Sequence, residues 1–516
     1  MRAMEIKKGY QTIFSAVSVL LILVVVGVIA ELNYSVQLTN SGKIIQPKSQ
    51  ISEFRGVLLK YLNTYSHNDT LICETLANYG FNALMLEVSP WGWTGDMLKN
   101  IPSLANACKQ YGLKLYVLFC FYGGGYYPEY YKDMYPLLTD GNDSWRMVDN
   151  QGNFVNWNCL QKNDSRKRVK AVIDTLMSNY GDDIAGIIFD YIRMPSSSEG
   201  IDERSVCYCD ECKEAFLEWL STVGKTFTGN WSDYYYGGSH WLDYAEWRTN
   251  PINNMVRDVR AWALAWNPNI KFGAAVWSPY RPQWGWTPDG YIEGIAQYTS
   301  YWVSQGWLDF LCPMEYTSDM TSLQFAMNQT LQYWTGGNAT TGTKGAIPLV
   351  PFITYGQYGT GVSPVSISFW VSEINHLRAI GCNGFIIWGY SGPGMNWGVD
   401  AIPYLEAIKN NCTKGAFQVF TQTAPTISGS EITWITSAPT TGKVEYNTTP
   451  LFIAVPKMGS KLPYVDIDYA GGTIIAESTP TTIHHITVPI QPPFYFRVLN
   501  NDTNIELASW TCLSSG

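Results

Sequence analysis

Three acidic side chains stand where apolar runs stop: Glu87 near the end of Ala83–Val88, Asp190 near the end of Ala185–Tyr191, and Glu315 near the end of Asp309–Tyr316. Runs this apolar read as strands buried on both faces, so a carboxyl at the tip must find a local partner or serve a ligand. Two carboxyls across a glycosidic bond can divide the work. One protonates the leaving oxygen, and the other attacks the sugar or activates water. Burial and like-charge crowding would push their pKa values apart and so separate acid from base. Asp190 is the strongest candidate, because GIIFD is wholly apolar until the aspartate and Tyr191 and Arg193 follow at once to hold it ionised and oriented. Aromatic side chains cluster near the same tips: Trp91, Trp93, Trp277, Tyr316, Tyr355, Trp388 and Tyr390. Flat sugar faces stack on such rings. Asp309 opens its run and reads as structural.

The elements that would carry these residues recur in a regular order. Eight apolar, β-rich runs occur at Phe54–Leu59, Ala83–Val88, Leu115–Tyr122, Ala185–Tyr191, Phe272–Trp277, Asp309–Tyr316, Leu349–Tyr355 and Phe385–Tyr390. Helix-like stretches separate them, among them Thr70–Tyr79, Ser165–Tyr180 and Ile367–Ile380. The alternation predicts an α/β fold, a (β/α)8 TIM barrel over residues 51–411, with the site at the carboxyl ends of the strands. Glu87, Asp190, Glu315 and Trp388 all sit on even-numbered strands, so they are expected to share one layer at the mouth. The long connections 123–164 and 195–240 read as walls or lids. Residues 412–516 show short alternating segments between Pro, Gly and Thr turns, which predicts a small β-sandwich.

Charged residues make up only 15%, against roughly 25% in ordinary soluble domains. With a net charge of −9 and no basic stripe, nucleic acid is not an expected partner. Residues 13–30 form an uncharged apolar run preceded by Arg2, Lys7 and Lys8. That run is long enough to span a bilayer. It predicts a single-pass signal anchor, with residues 1–12 cytoplasmic, 31–50 a spacer, and the rest outside the cell. Sequons such as Asn68, Asn142 and Asn447 are compatible with a glycoprotein. An exported location permits disulfides, for which Cys412 with Cys512 and Cys73 with Cys108 are candidates. Cys207, Cys209 and Cys212 lie close together, but structural zinc takes four ligands, so zinc, a local disulfide and free thiols all stay open. No His-Glu-x-x-His, Gly-x-Ser-x-Gly or phosphate-loop pattern occurs, and no cofactor is expected.

The stretch Ala185-Gly186-Ile187-Ile188-Phe189-Asp190-Tyr191-Ile192-Arg193-Met194-Pro195 resembles the DG-x-x-x-DYIR-[YF]-P strand-four motif of the family-10-like glycoside hydrolases. Asn163-Asp164-Ser165-Arg166, the Cys207–Cys212 cluster, Trp307-Leu308-Asp309-Phe310 with Pro313-Met314-Glu315-Tyr316, and Gly384–Tyr390 follow in the same order as in that family. The resemblance covers roughly residues 51–410. It implies a (β/α)8 fold and glycosidase activity with Asp190 as the central acid. Ala185 and Met194 depart from the motif, which has Asp and an aromatic there. The second acid does not transfer from the family; Glu315 is taken as partner from its place at a strand tip. The stretch ITWITSAPTTGKVEYNTT resembles fibronectin type III-like modules. Together these features predict a membrane-anchored extracellular glycosidase acting on a polysaccharide or glycoprotein glycan. The alternative is a non-catalytic glycan-binding or cell-surface protein, surface-layer-associated or pilin-like, on the same scaffold.

Overall fold

The computed structural model describes residues 43–44, 53–60, 66–88, 97–121, 145–197, 200–280, 287–338, 340, 346–356, 362–395, 400–412, 425–500 and 506–512. The apolar run 13–30 lies outside these residues. Among the described residues no helix is long and apolar enough to cross a membrane.

Each of the eight apolar runs overlaps a strand of one parallel sheet: β1 Phe54–Leu59, β2 Ala83–Val88, β3 Lys114–Cys120, β4 Gly186–Asp190, β5 Lys271–Val276, β6 Phe310–Pro313, β7 Phe352–Ile353 and β8 Gly384–Ile387. The strands pair in chain order from β1 to β6, and β8 closes back onto β1. Parallel bridges Leu311–Leu349 and Met314–Phe352 join β6 to the β7 segment and complete the ring. Helices cover the outside: α1 Asp69–Asn78, α2 Ile101–Tyr111, α3 Asn163–Tyr180, α4 Asp210–Thr222, α5 Trp241–Trp247, α6 Thr249–Trp266, α7 Pro288–Ile295, α8 Thr299–Ser304, α9 Met320–Thr335, α10 Ile367–Ala379 and α11 Ile402–Ala407. Several begin on side-chain caps. Asn68 accepts from the Leu71 N–H at 3.0 Å, and Asp319 accepts from those of Thr321 and Ser322.

Alternation along each strand splits the apolar residues between two cores. Val57, Leu86, Val117, Phe189, Leu311 and Ile387 point outward into the helix layer. Leu58, Met85, Leu118, Ile188, Ala275, Cys312, Phe352 and Ile386 point inward. The barrel is plugged at its amino-terminal end by the rings of Phe54, Tyr116 and Phe310, with centroids 4.9–6.2 Å apart. Gly273 makes room there, since a Cβ would strike the Phe310 ring. These rings close the amino-terminal end of the barrel among the described residues.

The carboxy-terminal region forms two sheets. β9 Thr426–Ser428, β10 Glu431–Thr440 and β15 Thr481–Thr487 make one, in the order β9-β10-β15. β11 Gly442–Asn447, β14 Thr473–Ala476, β16 Phe494–Asn500 and β17 Glu506–Cys512 make the other, in the order β14-β11-β16-β17. Trp434, Val444, Ile486, Phe494 and Phe496 pack in the core of this region. A hairpin of β12 Phe452–Met458 and β13 Pro463–Tyr469 is inserted after β11 and pairs with Lys43–Ile44. This hairpin packs on the barrel: the Tyr464 ring lies 6.2 Å from Tyr333 of α9, and Lys461 Nζ reaches Glu293 Oε2 at 2.8 Å.

Candidate functional site

Two residues beyond the inward ring of Leu58, Met85, Leu118, Ile188, Ala275, Cys312, Phe352 and Ile386 come Lys60, Glu87, Cys120, Asp190, Trp277, Met314, Thr354 and Trp388. Period-two alternation places these in the next layer, at the carboxyl ends of the strands. Four consecutive strands thus present Lys60, Glu87, Cys120 and Asp190 toward the mouth, with Cys120 in register with Asp190 and Glu87 in register with Leu118. Asp190 is 3% exposed and Glu87 is 8% exposed.

Asp190 is held by its own turn. The Tyr191 N–H donates to Oδ1 at 2.8 Å, while Cys120 Sγ lies 3.7 Å from Oδ2. Tyr191 adopts φ 53°, the left-handed region that a tyrosine rarely occupies. Strain of this kind persists where surrounding packing over-determines it, and it concentrates at functional sites. Burial pushes the Asp190 carboxyl up to about 6, and Glu87 adds to this; Lys60, the Tyr191 N–H and Arg193 act in the opposite direction. Lys60 Nζ sits 4.0 Å over the Trp388 ring, which in turn lies 5.5 Å from Tyr316. Among the described residues Glu87 Oε2 has no hydrogen-bond partner, although it is buried. A ligand hydroxyl would satisfy that oxygen.

Arg193 is buried over aromatic faces: its guanidinium lies 4.6 Å from the Trp277 ring centroid, 5.1 Å from Tyr191 and 5.3 Å from Trp157. Its Nη1 donates to the Met194 carbonyl. Trp157 belongs to a small hairpin, Arg146–Val148 with Phe154–Asn158, in the long connection after β3. Its indole N–H donates to the Arg193 carbonyl at 3.2 Å, and Asn158 Nδ2 donates to the Phe121 carbonyl at 2.5 Å. The hairpin therefore braces the ends of both β3 and β4.

Three expected site residues stand elsewhere. Glu315 is one position out of phase with Met314 and Tyr316, which pack toward the barrel interior. It accepts the Ser278 hydroxyl at 2.6 Å behind the sheet. Tyr355 and Tyr390 likewise belong to the outer core. Tyr355 donates to the Gly389 carbonyl and stacks on Tyr404, and Tyr390 donates to the Pro393 carbonyl. The structure brings Glu87, Asp190, Trp388, Tyr316, Tyr191, Arg193 and Trp277 to the mouth. Trp91 and Trp93 lie outside the described residues.

Lys60 carries in the sequence the same signal as Asp190, an apolar strand ending abruptly in a charge, but it is not an acid and so is not marked by a search for carboxyl pairs. Glu373 lies on α10, away from any strand tip, and its two carboxyl oxygens are buried without hydrogen-bond partners among the described residues. Burial, and then Glu315, push that carboxyl well above its ordinary range.

The cysteines show a second cluster. The sulfurs of Cys159, Cys207, Cys209 and Cys212 lie within 4.8 Å of one another, all buried. Cys159 had no signal in the sequence, because it stands 48 positions before Cys207. Cys73 and Cys108, on α1 and α2, are free thiols with sulfurs 3.8 Å apart, so the expected bridge between them is not formed. The side chains of Cys412 and Cys512 lie outside the described ones.

No protein-family model and no curated protein matches this chain. Among solved structures, the catalytic domain of β-amylase from Paenibacillus polymyxa matches with a TM-score of 0.48 at 14% identity, covering 71% of this chain and 99% of that one. A cold-adapted β-galactosidase from Rahnella sp. R3 matches with a TM-score of 0.46 at 14% identity, covering 72% of this chain and 56% of that one. A GH30 endoxylanase from Clostridium papyrosolvens C71 matches with a TM-score of 0.38 at 9% identity, covering 89% and 100%.

Proposed function

We propose that this chain is a glycoside hydrolase, family-10-like in its strand-four motif, that cleaves a polysaccharide or glycoprotein glycan with Asp190 and Glu87 as its carboxyl pair. The observation that carries the reading is the layer at the mouth. There a buried acid titrating near 6 stands beside a second acid with an unsatisfied oxygen, under an aromatic rim. Glu87 replaces Glu315 as the partner, because Glu315 faces the helix layer.

A carboxyl that keeps its proton to about pH 6 can deliver it to a glycosidic oxygen near neutrality. The Tyr191 N–H engages Oδ1, which leaves Oδ2 directed to the Cys120 side. When the proton leaves, Lys60 and the Tyr191 N–H stabilise the anion that remains, so the cation offsets the cost of ionising a buried group. Glu87 supplies the second carboxyl, for attack on the sugar or activation of water. Trp388, Tyr316 and Trp277 offer apolar faces to a pyranose ring.

The anchor in residues 13–30 would hold the enzyme at the outer face of the cell membrane. The basic residues before that run support this placement. The three-on-four strand order of the carboxy-terminal region supports a fibronectin type III-like module, interrupted by the hairpin that docks on the barrel. Glycan binding without turnover is the second reading, favoured by the low exposure of Asp190.

The test is to screen the full chain on a panel of polysaccharides and glycoproteins, beside Asp190→Asn, reading reducing ends and binding. Release by the parent and none by the variant supports hydrolysis at this site. Equal release by both removes Asp190 from the mechanism, and binding without release by either favours the second reading.

A further inference from the structure

We infer that Cys159, Cys207, Cys209 and Cys212 form a structural zinc centre that fixes one wall of the barrel mouth. This site stands apart from the hydrolase reading and does not depend on it. The four sulfurs come from two segments far apart in the chain, yet all lie within 4.8 Å of one another. A tetrahedral thiolate site with Zn–S bonds of about 2.3 Å spaces its sulfurs about 3.8 Å apart. Cys159 Sγ lies 3.4 Å from Cys212 Sγ and 3.7 Å from Cys209 Sγ. A disulfide needs about 2.05 Å and uses two sulfurs, whereas here four thiols surround one point and none is bridged.

The surroundings suit a cation bound by thiolates. The Val148 N–H is aimed at Cys207 Sγ at 3.3 Å, the kind of outer contact that orients a metal ligand. Cys209 occupies the N-cap position of α4 and Cys212 lies in its first turn, where the helix dipole favours negative charge. A closed, buried, all-sulfur tetrahedron leaves no open coordination position, so its role is to hold structure rather than to activate water.

What it would hold is specific. Cys159 directly follows the hairpin strand Phe154–Asn158, Cys207 and Cys209 come from the end of the connection between β4 and α4, and Cys212 from the first turn of α4. The metal would tie these two insertions together. Trp157, two residues before Cys159, supports Arg193 and packs 6.0 Å from Tyr191, so the clamp reaches the turn that carries Asp190. A small cavity lined by Cys159, Cys207 and Cys212 is also lined by Arg193 and Met194.

The test is elemental analysis of the full chain purified with a thiol reductant and no added metal. A single zinc per chain, retained through dialysis, is the expected result. Replacement by cobalt(II) should give the strong sulfur-to-metal charge-transfer absorption of a tetrahedral thiolate site. Cys159→Ser and Cys209→Ser should each abolish stoichiometric zinc. Because either variant can fail to fold, the parent protein is also titrated with a mercurial, which should release zinc in step with the blocking of four thiols. Zinc absent together with a disulfide among these cysteines would overturn the assignment. So would iron in its place, or zinc retained by Cys159→Ser.

Discussion

Two pairs of buried acids occupy opposite faces of the same sheet. Inside the barrel, Asp190 and Glu87 share their layer with Lys60, and the Tyr191 N–H and Arg193 also oppose the effect of burial on Asp190. The outcome is a carboxyl raised only to about 6. Behind the sheet, Glu315 takes one serine hydroxyl, and among the described residues Glu373 has no hydrogen bond to either oxygen. No cation is among the causes acting on Glu373, which is pushed well above the carboxylate range. Burial is common to both pairs and does not distinguish them. What separates them is compensation, because a nearby cation and a backbone donor return an acid to a range where its proton can move.

The largest effect should come from Asp190→Asn. Losing a general acid should lower kcat/KM by about 10²–10⁴-fold on any substrate the panel identifies. The same change should stabilise the fold at neutral pH. The folded carboxyl is raised from 3.8 to about 6, so folded protein binds more protons than unfolded protein between those values, and stability falls as pH rises through them. The gain on removing the group is at most about 3 kcal/mol at pH 7, and it should vanish below pH ~4. Urea unfolding of both proteins across that range checks the sign. An inactive variant that is also less stable at pH 7 would break the comparison.

Glu87→Gln should cost about 10²-fold and move the alkaline limb of the pH–rate profile downward, because Glu87 raises Asp190. Lys60→Met should move that limb in the opposite direction, because the ammonium favours the ionised form of Asp190. Matching shifts of opposite sign would place both groups around one titrating carboxyl. An unshifted profile in both variants would separate them from it.

The smallest effects on rate are expected behind the sheet. Glu315→Gln and Glu373→Gln should each leave kcat/KM within about 2-fold. Glu373→Gln should instead change stability with pH. As pH rises through the ordinary carboxylate range, unfolded Glu373 ionises while the folded group stays protonated, so the parent loses stability that the variant keeps. A large rate loss in Glu315→Gln would return that residue to the chemistry and undo the assignment of faces.

The strands were legible because each barrel strand is apolar on both faces, and that property makes a run stand out from its loops. The same property hides phase. In Asp309–Tyr316 nothing in residue type separates inward Cys312 from outward Leu311, so Glu315 and Met314 could not be ordered around the sheet. Tyr355 and Tyr390 were misplaced for this reason. Glu87 and Asp190 stand out in the sequence because a charge in an apolar run is visible whichever way it faces. The docking hairpin β12–β13 gave a weaker signal, since Pro456 interrupts its first strand. Cys159 had no neighbour in sequence to mark it.

From its sequence alone this chain announces eight buried strands separated by helices, the abrupt carboxyls at their tips, an all-β tail and three clustered cysteines. Those features are local, written in hydrophobic runs and short spacings. Only the closed barrel decided which carboxyls face the interior, that Lys60 joins them, and that a fourth cysteine completes the sulfur cluster. The reason is geometric: strand phase and the meeting of distant segments are set by pairing across the sheet, and no stretch of chain carries that information by itself.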